Sequence, residues 1–188
     1  ADLSNSILTG VDLSGKDLSG TILTGANLSN SILTGVDLSG KDLSIAILTG
    51  ADLSNSILTG VDLSGKDLSG ITLKDTNLAG VKLEMAYMNN ANMAGADLSF
   101  NNLVGIKLID ANLSHAILSG ADLTNAKLRN TNLSAAEMIG VKLIDADLTN
   151  ANLTGANLHM ADLTGANLDG VTINDASLSC IGHEICKN

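Results

Sequence analysis

The sequence predicts an all-β solenoid, a chain that turns once every five residues and stacks the resulting coils into a rod. Three observations point to it. Read in fives from Ala1, the third position is Leu in 32 of 36 consecutive units, and the exceptions, Met88, Met93, Met138 and Ile173, are equally large and apolar. The fifth position is Gly, Asn or Asp in 29 units and holds 18 of the 19 glycines. Aromatic residues make up 1% of the chain and Trp and Pro are absent, yet 45% of residues are hydrophobic. The core therefore has to be aliphatic and regular rather than filled by rings.

A period of five matches neither the 3.6 of a helix nor the 2 of a strand, so no amphipathic element keeps every Leu on one side. The chain must turn within each unit. Gly, Asn and Asp at the fifth position tolerate the positive φ that a tight turn needs. The third residue then points inward with the small first residue beside it. The second position, Asp or Asn in 21 units, and the fourth, Ser or Thr in 23, face outward. If each unit forms one side of a square, four units close a coil, and successive coils pair like parallel strands.

The unit A(D/N)LxG, carried in register over residues 1–180, resembles the pentapeptide-repeat family. That resemblance implies a right-handed quadrilateral β-helix. Thirty-six units then make about nine four-sided coils and a rod roughly 40 Å long at a strand spacing of ~4.8 Å. Residues 181–188 leave the pattern as a C-terminal cap or tail. Residues 1–25, 26–50 and 51–75 are near copies, differing at Asn27, Ile45 and Ala46 and at Ile71, Thr72, Lys74 and Asp75. Twenty-five residues are one unit more than a coil, so each copy advances by one face. Residues 1–75 read as duplicated scaffold.

The formal net charge of −10, with ten Lys and Arg in all, argues against direct nucleic-acid binding. No apolar run approaches the ~20 residues of a membrane-spanning helix. Polar side chains radiating from a packed rod give no converging catalytic group, no cofactor site and no metal site, so the chain reads as a non-enzyme. His115, His159 and His183 stand apart as surface residues. The expected role is structural or protein-interacting, a rigid acidic rod with an unidentified protein partner. Its uncovered first coil makes end-to-end association between copies an expectation. An alternative follows from the resemblance: some pentapeptide-repeat proteins of the quinolone-resistance group mimic duplex DNA and bind DNA gyrase. A weaker one is ice or crystal-surface binding through Ser and Thr arrays.

Three departures from the repeat mark where something beyond scaffold could lie. Lys16, Lys41 and Lys66 occupy inward first positions, and are expected to snorkel toward Asp17, Asp42, Asp67 or an acid of a neighbouring coil. Residues 81–100 gather Met85, Tyr87 and Phe100, including the only Tyr and the only Phe, as a candidate partner patch. Cys180 and Cys186 bracket the tail; a disulfide, free thiols and a metal site with His183 are all open on the residues alone. The family resemblance favours the disulfide, because some members carry a disulfide-bracketed C-terminal helix. An oxidising, extracytoplasmic compartment would follow from it. Stacking also sets Lys107 beside Lys127, and Lys142 between Asp122 and Asp162, which gives modest ladder pairs and one like-charge contact that do not resemble a site.

Overall fold

The computed structural model describes residues 1–187; Asn188, the end of the expected 181–188 cap, lies outside the described residues. Backbone pairing follows one register. Asp2 bridges Ile22, Ile7 bridges Asn27, Asp12 bridges Ile32, and the same parallel pairing at a separation of twenty recurs to Asn157 and Ser177. Four units therefore complete one coil. We number the four faces by the units that open them: Asp2 starts face 1, Ile7 face 2, Asp12 face 3 and Asp17 face 4.

A unit on the first coil shows how the backbone is satisfied. Leu3 N donates to Ile22 O and Asn5 N to Thr24 O on the coil above, at 2.9 and 3.0 Å, while Ala1 O accepts from Ile22 N at 3.0 Å. Ser6 N donates back to Leu3 O at 3.1 Å, closing a turn over the corner. The third residue of that turn has positive φ, 56° at Asn5 and 69° at Gly10. This is why the fifth column is Gly, Asn and Asp. β-Branched Ile45 is not among the residues that adopt it, as sterics require.

The second and fourth columns are partners. Asp2 Oδ1 accepts from Ser4 N at 2.9 Å and from Ser4 Oγ at 2.6 Å. The motif recurs at Asp42 with Ser44, Asp52 with Ser54, Asp122 with Thr124 and Asp162 with Thr164. Each is an Asx turn that spends its carboxylate on its own backbone and preorganises the corner that follows. Inside, Leu28, Leu33, Leu38 and their equivalents to Leu158 are essentially fully buried, alongside the first-column Ala and Val residues. Leu3, Leu8 and Leu13 at one end, and Leu168, Ile173 and Leu178 at the other, are only partly covered.

At the C-terminus the register shortens by one residue: Asp162 bridges Ile181, and Leu163 N donates to Ile181 O at 2.9 Å. Cys180 and Cys186 are joined in a disulfide that ties the end of the last coil to a 3-10 turn, Glu184–Lys187, which contains Cys186. His183 Nδ1 accepts from Ile185 N at 3.3 Å, so this imidazole serves the turn. Among the described residues no helix is long and apolar enough to cross a membrane.

Candidate interaction surface

The three first-column lysines do not reach the acids expected for them. Lys41 Nζ donates to Ser19 O at 3.1 Å and to Thr21 O at 3.0 Å, and Lys66 Nζ donates to Ser44 O at 2.8 Å. The Asp17, Asp42 and Asp67 carboxylates are held by Ser19, Ser44 and Ser69. The ammonium instead wedges between coils and takes backbone carbonyls of the coil beneath. Lys16, in the first described coil, is exposed.

The wedges have a structural cost. Thr21 O is the group that would accept from Asp42 N in the regular ladder. Among the described residues the bridges from residue 22 to 42, 42 to 62, 47 to 67 and 17 to 37 are missing, and all four flank these lysines. The Lys41 wedge opens a notch lined by Ser19, Thr21, Thr24, Ser39, Gly40 and Asp42. Burial pulls the Lys66 amine below its ordinary value of 10.5, against the opposing pull of Asp42.

Two further first-column polar residues reach the coil beneath, each beside a gap in the described ladder. Asn101, 3% exposed, donates to Leu78 O and Val81 O and accepts from Gly80 N, all at 2.8–3.3 Å. Its side chain replaces the pairing of residues 82 and 102. Thr76 Oγ1 donates to Leu53 O at 3.1 Å, the carbonyl that Ser56 would take by analogy with Ser6 to Leu3 and Ser31 to Leu28. Ser56 Oγ is left buried without a partner. Asn101 is the single Asn of the first column and Thr76 one of three Thr there, and that departure from Ala, Val and Ser is the signal in the sequence that could have found them.

Met85, Tyr87 and Phe100 are exposed by 57%, 42% and 82%. Met85 and Phe100 hold φ values of 58° and 57°, a conformation that disfavours bulky side chains. Each leans over a glycine one coil above: a Cβ built on Gly105 would run into Met85, and one on Gly120 into the Phe100 ring. Glycine in these columns thus makes room for the side chain below. Met85 closes face 1, and Tyr87 opens the adjoining part of face 2. Phe100 closes face 4, so the structure places it across face 1 from Met85 rather than in one patch with it.

Neutralised ladders run beside this region on face 1, where Lys82 pairs with Asp62 at 3.1 Å and Lys142 with Asp122 at 3.2 Å. On face 3 Asn112, Asn132 and Asn152 each donate to the Asn one coil below, at 3.4, 3.1 and 3.3 Å. Face 2 differs: Lys107 Nζ lies 3.6 Å from the Tyr87 ring centroid, and Lys107 bridges Lys127 directly. Among the described residues no three His, Cys, Asp or Glu side chains are grouped to hold a metal.

The pentapeptide-repeat family matches successive overlapping windows of the chain, residues 1–40, 37–75, 72–108, 106–143, 131–170 and 142–179. The chain is a pentapeptide-repeat protein. Members of this family form right-handed quadrilateral β-helices, and the twenty-residue register is that of four pentapeptides per turn. The chain is similar to HetL, a pentapeptide-repeat protein involved in heterocyst differentiation regulation from the cyanobacterium Nostoc sp. PCC 7120. The two are 36% identical over 97% of this chain and 88% of HetL, with a TM-score of 0.68. A pentapeptide-repeat protein of the Arabidopsis thaliana thylakoid lumen is 34% identical over 58% of this chain and 69% of its own, with a TM-score of 0.35. QnrB1, a plasmid-mediated fluoroquinolone resistance protein, is 22% identical over 94% of this chain and 92% of its own, with a TM-score of 0.48. Among curated proteins no match is found.

Proposed function

We propose that this pentapeptide-repeat protein is a non-enzymatic interaction module, a nine-coil rod whose partner contacts the shaft at the corners around residues 81–100. The observation that carries the reading is the cost of those corners. Met85 and Phe100 stand where glycine is normal, in a left-handed conformation costing about 1–2 kcal/mol each, and present apolar side chains mainly to water. The fold gains little from them, so an external contact is what would reward them. The likeness to HetL, a regulatory protein by its description, is consistent with a role exercised through other proteins. On the same reading residues 180–187 close the open end of the solenoid, and the disulfide suits an extracytoplasmic, oxidising compartment.

The gyrase-directed alternative has less support. A duplex-like rod needs carboxylates along a face, whereas face 3 carries consecutive asparagines and face 2 carries Lys107, Lys127 and Arg129. Affinity capture from the host extract tests the leading reading. Met85→Gly, Tyr87→Ser and Phe100→Gly combined should lose the captured partner while the melting temperature stays within a few degrees or rises. Retention of every captured protein by the triple variant would overturn it.

A further inference from the structure

We infer that face 2 holds a docking strip for an extended acidic protein segment, formed by Tyr87, Lys107, Lys127 and Arg129. This rests on the reading of the rod as an interaction module and supplies a chemistry for its partner.

The starting point is how the chain disposes of its few cations. Lys74, Lys82 and Lys142 meet Asp75, Asp62 and Asp122, and Lys41 and Lys66 are spent on backbone carbonyls. Lys107, Lys127 and Arg129 behave otherwise. Among the described residues none of them lies within ion-pair distance of a carboxylate, although the chain carries 20 Asp and Glu. They are also gathered. Lys107 and Lys127 are direct ladder partners, and Arg129 follows two residues on, in the turn that ends the same unit of face 2. Lys127 and Arg129 are both exposed.

Like charges stacked directly in a ladder are destabilising. On face 1 the same geometry is used to neutralise, with a carboxylate one coil below each lysine. Face 2 stacks cation on cation, with the lower lysine seated on an aromatic ring. The acids bounding the strip form no ion pair with it among the described residues, although, after the Thr149 hydroxyl, the nearby charges of Arg129 and Lys127 help to hold the Asp147 carboxyl below its usual value. Asp67, one coil below Tyr87, is tied to Ser69 N and Oγ, and Asp147, one coil above Lys127, is tied to Thr149 N and Oγ1 at 3.2 and 2.6 Å. A cationic strip without an ion-pair partner, on a rod of charge −10, is complementary to carboxylates delivered one at a time on a flexible chain. It spans two coil steps, roughly 10 Å, which suits a few residues of extended peptide with an apolar side chain laid against Tyr87. A nucleic acid fits worse, since a continuous polyanion would run into Asp67 and Asp147 and the acidic field beyond them.

Fluorescence anisotropy with a labelled peptide of alternating Glu and Ser containing one Phe tests the strip, at 20 and 150 mM NaCl, against an alternating Lys and Ser peptide and a twelve-nucleotide oligothymidine. The acidic peptide should bind, weaken at the higher salt, and lose at least tenfold in affinity to the double variant Lys127→Glu, Arg129→Glu. Lys142→Gln on face 1 should leave it unchanged. Absence of binding, equal binding by the double variant, or tighter binding of oligothymidine would each overturn the proposal. Loss of the strip with the Met85 and Phe100 corners still required for native capture would sink this inference and leave the interaction module standing; loss of both would sink both.

Discussion

Ser6, Ser31 and Ser56 are the same residue of the three 25-residue copies, and the structure treats them differently. Ser31 Oγ donates to Leu28 O at 2.6 Å, whereas the carbonyl available to Ser56 is taken by Thr76. Removing a satisfied buried hydroxyl loses a net hydrogen bond of about 0.5–1.5 kcal/mol, while removing an unsatisfied one relieves a desolvation penalty of about 1–3 kcal/mol. Ser31→Ala should therefore destabilise and Ser56→Ala stabilise in urea titrations; shifts of the same sign would contradict the assignment. The fifth column gives a second contrast. Phe100→Gly should stabilise by up to about 1 kcal/mol by removing left-handed strain, and Gly120→Ala should destabilise, because its Cβ meets the Phe100 ring. Lys66 supplies a third through pH. Its amine is lowered by burial, so the charged form costs stability at neutral pH, and that cost fades as pH rises through the folded value toward 10.5. Lys66→Met should be more stable than the parent at pH 7, with the gap narrowing by pH 10.5; a constant gap would show that the amine is not desolvated.

At the scale of the unit, stability is divided between the ladder and the Asx turns. The hydroxyl and amide of the partner Ser or Thr hold the Asp12, Asp37, Asp42 and Asp67 carboxylates below their usual value of 3.8. A carboxyl lowered in the folded state contributes stability above its unfolded value that is lost as pH falls through the folded one. Melting temperature should accordingly fall below about pH 4, and Asp→Asn at several of these positions should flatten the fall, since Asn keeps the acceptor without the titration. Ladder gaps make a separate prediction. Backbone amides of Asp37, Asp42 and Asp67 lack the inter-coil partner that Asn112 and Asn132 retain with Ala91 and Ala111 at 2.9 Å, so they should exchange with deuterium sooner. Uniform protection would contradict the wedge description. The columns were legible in the sequence because each reports one inward or outward site repeated many times. The wedges were not, because a first-column lysine leaves the interior between two coils, where the carbonyls of Ser19, Thr21 and Ser44 lie within its reach, and the order of residues does not show which backbone groups a side chain meets there.

Across the whole molecule, regularity carries the fold and irregularity locates the candidate surface. A solenoid of this kind is stabilised by nearest-neighbour contacts between coils, so a departure such as Lys66, Asn101 or Phe100 weakens its own interface and leaves distant coils intact. That tolerance lets single faces acquire different chemistry: paired charges on face 1, unpaired cations on face 2 and asparagines on face 3. The face assignment was implicit in a period of twenty, but the isolation of Lys107, Lys127 and Arg129 emerged only once the ion pairs of face 1 were seen. Everything depends on the register of four units per coil. Pulsed electron–electron double resonance between nitroxides on one face tests it most directly, using labelled cysteines at residues 52 and 152, 52 and 172, and 12 and 172, with the native disulfide intact. The register predicts mean separations of roughly 24, 29 and 38 Å, rising by ~4.8 Å for every twenty residues; separations that do not rise by that increment would contradict it.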